Sequence, residues 1–227
     1  MINLFQLREK EIFETLKKLK DQKLVLIGGY AVNAYTLPRF SVDCDIVIYK
    51  EDLEDIEKIL LSIGYMESEE KSGVPYHGKF ARFKKIINEN LKVSIDILID
   101  EVLDRQTGAK FLCDWVFDNS GIRVLKGKTI TENLNLRIIN LEALFVMKMT
   151  SCRSTDIRDI FLMVSEVKNK IFIKKEVSER ANFKDRLGKI NKEITSKQFR
   201  DGIQGIFGII DEKLFKRNQV EILGLDF

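Results

Sequence analysis

The chain has 227 residues, 44% of them hydrophobic, and its 38 Lys and Arg against 35 Asp and Glu leave a net charge of +3. That length supports one large domain or two small ones with a real core, and so small a charge does not by itself announce a nucleic-acid partner. No stretch reaches the roughly 18 consecutive apolar residues of a membrane helix, and the opening MINLFQLREKEIF turns polar too soon for a secretion signal, so a soluble cytoplasmic protein with no membrane contact is expected. Charge is unevenly spread: residues 168–227 hold 14 Lys and Arg against 9 Asp and Glu, which suits either a polyanion or the solvated faces of lysine-rich helices. Cys44, Cys113 and Cys152 are odd in number, far apart and in apolar surroundings, which predicts reduced core residues rather than disulfides or zinc ligands.

Taken in order, residues 3–20 place Leu4, Phe5, Ile12, Phe13, Leu16 and Leu19 at helical spacing, an amphipathic helix that would cover a sheet. Leu24 to Ile27 is a buried strand. It ends on Gly28 and Gly29, which let the backbone turn sharply and approach a ligand, and a helix from Tyr30 to Tyr35 would follow until Pro38 closes it. In the next strand, Asp43 to Ile48, alternation puts Asp43, Asp45 and Val47 on one face and Cys44, Ile46 and Ile48 on the other. Residues 51–63 read as a second amphipathic helix stopped by Gly64. Lys79 to Ile87 and Leu91 to Ile99 read as paired strands about the turn Asn88 to Asn90, the second carrying Asp96 amid apolar neighbours, on the face of Ser94, Leu98 and Asp100. Residues 101–121 look irregular, and Ile122 to Leu125 with Lys128 to Ile130 suggest a small hairpin about Lys126 and Gly127. After Asn140 the period turns helical: one helix from Leu141 to about Cys152, a second from about Asp156 to Val167, then two or three more to Lys216.

Two carboxylates on one strand face and a third on a neighbouring strand repel one another, and each loses water on burial. A divalent cation relieves both costs, and hard oxygen ligands point to Mg²⁺ or Mn²⁺. Edge-strand acids paired with surface lysines would give the same letters. Lys148 sits in the middle of the apolar stripe of Leu141, Leu144, Phe145 and Cys152, so its ammonium needs an anion: a triphosphate, or an acid such as Asp96 or Asp156. Asp156 and Asp159 follow Ser154 and Thr155, where capping of a helix start and the orienting of Lys148 or a substrate fit equally well. Arg39, just ahead of the acids, suits a phosphate contact or a plain loop.

Other patterns carry less. Gly121 to Thr129 imitates a phosphate-binding loop, but five residues separate its glycines and a hairpin pattern surrounds it. His77 is the sole histidine, which excludes two-histidine metal sites. Phe111, Trp115 and Phe117 suit a core patch better than a base-stacking platform.

GGYAVNAY followed by RFSVDCDI resembles the glycine turn and paired acids of the nucleotidyltransferase superfamily with the polymerase-β-like fold, and Asp96 falls where that family's third carboxylate is expected. The later run NLEALFVMKMTSCRSTDIRDIFLM resembles the lysine-and-aspartate helices of the AbiEii-type branch, which includes toxins of toxin–antitoxin pairs. Many members of the superfamily have Gly-Ser where Gly28-Gly29 stands here, and threonine where Ser41 stands. The resemblance implies an α/β fold, a nucleotidyltransferase-like mixed sheet flanked by helices over residues 1–140, followed by a helical region, 141–227, packed on the sheet and contributing to the site. It implies transfer of a nucleoside monophosphate from a nucleoside triphosphate such as ATP to a hydroxyl, on an RNA 3′ end such as tRNA or on a protein, with pyrophosphate leaving. Asp43, Asp45 and Asp96 would be catalytic and hold the metal; Gly28, Gly29, Arg39, Ser41, Lys148, Asp156 and Asp159 would bind the nucleotide. An antitoxin protein is an implied partner. A noncatalytic nucleotide- or RNA-binding regulator on the same fold is the alternative.

Overall fold

The computed structural model describes residues 3–68 and 79–225, which divide into two compact units: residues 1–102 with 111–139, and residues 103–110 with 140–227. The first unit begins with α1 (Leu4–Leu19), started by the Asn3 side chain accepting from the Phe5 N–H. There follow β1 (Val25–Ile27), α2 (Gly28–Val32), β2 (Asp43–Ile48) and, after one 3₁₀ turn, α3 (Leu53–Ser62). Next come β3 (Met66–Glu67), β4 (Phe80–Asn88), β5 (Leu91–Ile99), the short β6 (Glu101–Leu103) and β7 (Lys110–Leu112), α4 (Cys113–Asp118), β8 (Ser120–Leu125) and β9 (Leu134–Ile139).

Seven strands form one mixed sheet in the order β3-β4-β5-β2-β1-β9-β8, the expected α/β architecture. β2 is central, parallel to β5 on one side and antiparallel to β1 on the other. Its alternation works as read: Cys44, Ile46 and Ile48 are fully buried on the face that carries the core, while Asp43 and Asp45 are half-buried opposite. α1 packs against β5 and α3, seating Ile12, Phe13, Leu16 and Leu19 beside Ile56, Leu60 and the strand residues Val93, Ile95 and Ile97, all buried. At about 25 cal/mol per Å² of apolar surface, each such side chain contributes roughly 1.5–3 kcal/mol.

Three sequence expectations change here. The helix after β1 starts on the glycines themselves, because Gly28 at φ +67° turns the chain from strand into helix within one residue. Residues 101–121, expected irregular, carry the paired strands β6 and β7 and the helix α4, whose two buried residues, Cys113 and Val116, make too short a stripe to register as periodic. The partner of Ser120–Leu125 is Leu134–Ile139, with Leu134, Leu136 and Ile138 alternating inward, and residues 128–130 form no strand. A buried carboxylate decides this: Glu9 of α1 accepts from the backbone N–H of Lys128 and Thr129 and from the Thr129 hydroxyl, fixing that segment as a loop. The Gly121–Thr129 imitation of a phosphate loop therefore lies in β8 and this loop.

The second unit is helical: α5 (Leu141–Ser151), α6 (Ser154–Met163), α7 (Lys170–Ser178), α8 (Phe183–Ile194), α9 (Lys197–Phe207) and α10 (Glu212–Leu223). Four helices thus follow α6 among the described residues, one or two more than the pattern suggested, and the chain breaks between α9 and α10 at Gly208, which has a φ of +82°. α6 packs against α5, α8 and α10, and Phe161, Phe199 and Phe215 meet edge-on or tilted at centroid distances of 4.8–6.4 Å. No helix among the described residues is long and apolar enough to cross a membrane.

Candidate active site

In the first unit the glycine turn and the paired acids meet at close range. A Cβ added to Gly28 would stand 2.0 Å from Oδ2 of Asp45, and one on Gly29 would stand 2.2 Å from Oγ of Ser41 and 3.4 Å from a guanidinium nitrogen of Arg39. A side chain at either position would have to displace Asp45 or Ser41, and Asp45, Ser41 and Arg39 all border the start of α2. Arg39 is almost fully buried, and its loop is clamped: Asn33 donates to the Arg39 carbonyl at 2.9 Å and accepts from the Arg39 N–H at 3.2 Å. Arg39 also donates through Nη1 to the Phe40 carbonyl.

Parallel pairing sets Asp45 directly beside Asp96 and Asp43 beside Ser94, so all three carboxylates project from one face of two adjacent strands. Asp43 accepts from the Ser94 hydroxyl at 2.7 Å. Asp96 is engaged at both oxygens by Arg82 of β4, Nε at 2.7 Å and Nη2 at 2.5 Å. The electrostatics register the cluster from both sides of the sheet. Burial pushes the Cys44 thiol well above its ordinary range, and the charges of Asp45, Asp96 and Asp43 push it further. Arg82 is held more firmly protonated by its bond to Asp96 first, with Asp43 and Asp45 adding.

As the side chains lie, no group of three acid, histidine or cysteine residues is gathered tightly enough to enclose an ion, among the described residues. Asp43 and Asp45 nonetheless fit a hard divalent cation: two oxygen ligands share one face, beside a backbone turn that leaves no side chain in the way. Asp96 shares that face but is spent on Arg82.

The second unit holds a different arrangement. α5 ends in a sharp corner where Cys152 adopts a left-handed φ of +52°, and Lys189 of α8 donates to its carbonyl at 2.7 Å. The corner folds α6 back so that Lys148 lies 2.8 Å from Asp156 and 3.0 Å from Asp159, both fully buried. Asp156 further accepts from the Ser151 hydroxyl, the Arg153 side chain and the Arg153 N–H, the last closing the amino end of α6. Burial pushes the Asp156 carboxyl up, but Lys148, Arg153 and Ser151 outweigh it and hold the group at about 2. Burial likewise pushes Lys148 down, and Asp159 with Asp156 outweighs that, so the pair stays ionised. Only Asp156 stands in the first turn of α6; Asp159 lies one turn later and pairs with Lys148 and Arg158.

No local signal in the sequence marks Arg82 or Asn33 as part of this site, and only the bond from Ser94 to Asp43 is new for Ser94. Alternation already puts Ser94 on the face of Asp96. Phe111 is buried with its ring 5.1 Å from that of Trp115, as a core patch requires. His77 lies outside the described residues.

No curated protein matches the chain at a significant level. Among solved structures, JHP933 from Helicobacter pylori is similar at a TM-score of 0.54 and 16% identity, covering 99% of this chain and 93% of that one. The structure of ANT(2″)-Ia in complex with adenylyl-2″-tobramycin is similar at a TM-score of 0.52 and 15% identity, covering 77% of this chain and 99% of that one. At these identities the likeness is one of fold. A family model described as the nucleotidyl transferase AbiEii toxin of type IV toxin–antitoxin systems matches residues 12–208, most of the chain. With the glycine turn, the paired acids and the mixed sheet behind that match, the chain belongs to the AbiEii nucleotidyltransferase family.

Proposed function

We propose that the chain transfers a nucleoside monophosphate from a nucleoside triphosphate to a hydroxyl acceptor, using the acid face of the first unit. The observation that carries this reading is the register of β2 and β5, which sets Asp45 beside Asp96 with Asp43 one pleat repeat away, next to the Gly28 turn. In the reaction the acceptor oxygen bonds to the α-phosphorus while the bond to the bridging oxygen breaks. Pyrophosphate leaves with that electron pair. Asp43 and Asp45 would hold Mg²⁺ or Mn²⁺; when bound, the ion supplies positive charge where negative charge develops on the phosphates.

The remaining work falls to the chain's own groups. Gly28 and Gly29 leave room for phosphate oxygens to approach the backbone at the start of α2. Arg39 and Ser41, against Gly29, offer a cation and a hydroxyl to the same phosphates. Asp96 takes the proton of the acceptor hydroxyl. Lys148, ordered by Asp156 and Asp159, offers an ammonium suited to a phosphate oxygen. The acceptor is an RNA 3′ end such as tRNA or a protein hydroxyl, and the family's character makes a toxin restrained by an antitoxin protein the matching biological role.

Incubation with Mg²⁺ and each α-³²P-labelled nucleoside triphosphate, in the presence of total tRNA or of the protein itself, tests this. Label should appear on one acceptor and fall by about a thousandfold in Asp45→Ala, a barrier change of ~4 kcal/mol. Equal labelling by the variant would refute the site.

A further inference from the structure

The acid face already holds a cation of its own. Arg82 stands opposite Asp96 in the register of β4 and β5 and grips both of its oxygens with one planar fork. Such a fork takes the carboxylate's charge as well as its geometry: a divalent ion approaching Asp96 meets a partly neutralised ligand with a like charge just behind it. Asp43, by contrast, receives its hydrogen bond from the neutral hydroxyl of Ser94. The two partners also differ in freedom. The Asp96 side chain is 8% exposed, whereas that of Arg82 is 29% exposed, so the arginine is the partner with room to move. A triphosphate is the anion that competes for it, because phosphate oxygens accept from guanidinium in the same two-point manner as a carboxylate.

We propose that Arg82 is a positioning residue that occupies Asp96 in place of a metal ion until nucleotide arrives. Without nucleotide, divalent metal binds through Asp43 and Asp45 alone. When the guanidinium turns to the incoming phosphates, Asp96 becomes available to the ion and to the acceptor proton. The inference rests on the metal reading given under Proposed function and adds to it an order of events.

The test is a Mn²⁺ titration without nucleotide, read by the electron paramagnetic resonance signal of the free ion. Arg82→Gln should bind Mn²⁺ roughly tenfold more tightly than wild type, the size of effect expected when a counter-charge is removed from a ligand carboxylate. Arg82→Lys, which keeps the charge without the fork, should fall between them. Adding Asp96→Asn to Arg82→Gln should cancel the gain. Superimposable curves for wild type and Arg82→Gln, with binding abolished in Asp45→Asn, overturn the role of Arg82 and leave the metal site standing. Absence of Mn²⁺ binding in all variants overturns both. Should Arg82→Gln fail to fold by circular dichroism, Arg82→Lys decides, and wild-type affinity in that variant refutes the proposal.

Discussion

Charge is buried in both units of this protein, and the two balance it in opposite ways. On the sheet, Asp43, Asp45 and Asp96 share one face, and the ion pair that Asp96 forms there is with the partly exposed Arg82. At the α5–α6 corner, Lys148 meets two fully buried aspartates, one of which also binds Ser151 and Arg153. The sheet cluster brings like charges side by side and sets a partly exposed arginine on one of them, the kind of arrangement that favours a further cation. The helical cluster consists of opposite charges matched within hydrogen-bonding distance, which contributes stability and orients a lysine. A carboxylate therefore means different things in the two places.

Substituting the acids one at a time would break that comparison if it is wrong. Asp156→Ala should destabilise the protein by about 3–5 kcal/mol in urea unfolding, because it strands a buried ammonium. Asp45→Asn should leave stability within about 1 kcal/mol of wild type, since the half-buried side chain keeps an oxygen for its neighbours and strands no buried charge. Equal losses from both would show the sheet acids to be structural.

Acid titration sharpens the same contrast. The folded pKa of Asp156, about 2, lies below its ordinary 3.8, so its contribution is complete above pH 4 and is lost as the pH falls toward 2. Unfolding free energy should drop by about 2 kcal/mol through that window on this group's account. In Lys148→Met the slope of that drop should shrink, as the partner that holds the carboxyl down is gone.

A smaller effect on stability is expected at the turn. Gly28→Ala forces an L side chain into φ +67° and against Asp45, costing about 1–2 kcal/mol of stability by thermal melting. Because the added methyl must displace the Asp45 carboxylate, Mn²⁺ affinity should fall with it, whereas Gly108→Ala, strained at φ +74° but with nothing within 4 Å, should melt earlier without losing Mn²⁺.

Much of the sheet was legible because its signals are local. Alternation in Asp43 to Ile48 follows from the pleat alone, and it put both acids on one face before any partner strand was known. Gly28 announced a turn that other residues resist. The helical spacing around Lys148 likewise foretold a lysine turned inward. What could not be read locally was pairing. The turn at Asn88 to Asn90 by itself would set Phe83 opposite Asp96; an irregularity between Ile86 and Asn88 shifts the ladder by one residue and puts Arg82 there instead. Nor could the partner of β8 be read, since Glu9, more than a hundred residues away, converts the nearer candidate into a loop.

The sequence by itself determined which residues point inward, where the backbone can turn and which acids share a strand face, because these depend on covalent geometry and on neighbours within a few positions. Only the tertiary structure decided that Asp45 lies beside Asp96, that Arg82 holds Asp96, and that Lys148 is met by Asp159 as well as Asp156. Those facts depend on strand register and on a helix corner, each settled by the packing of the whole unit rather than by any segment's own preference.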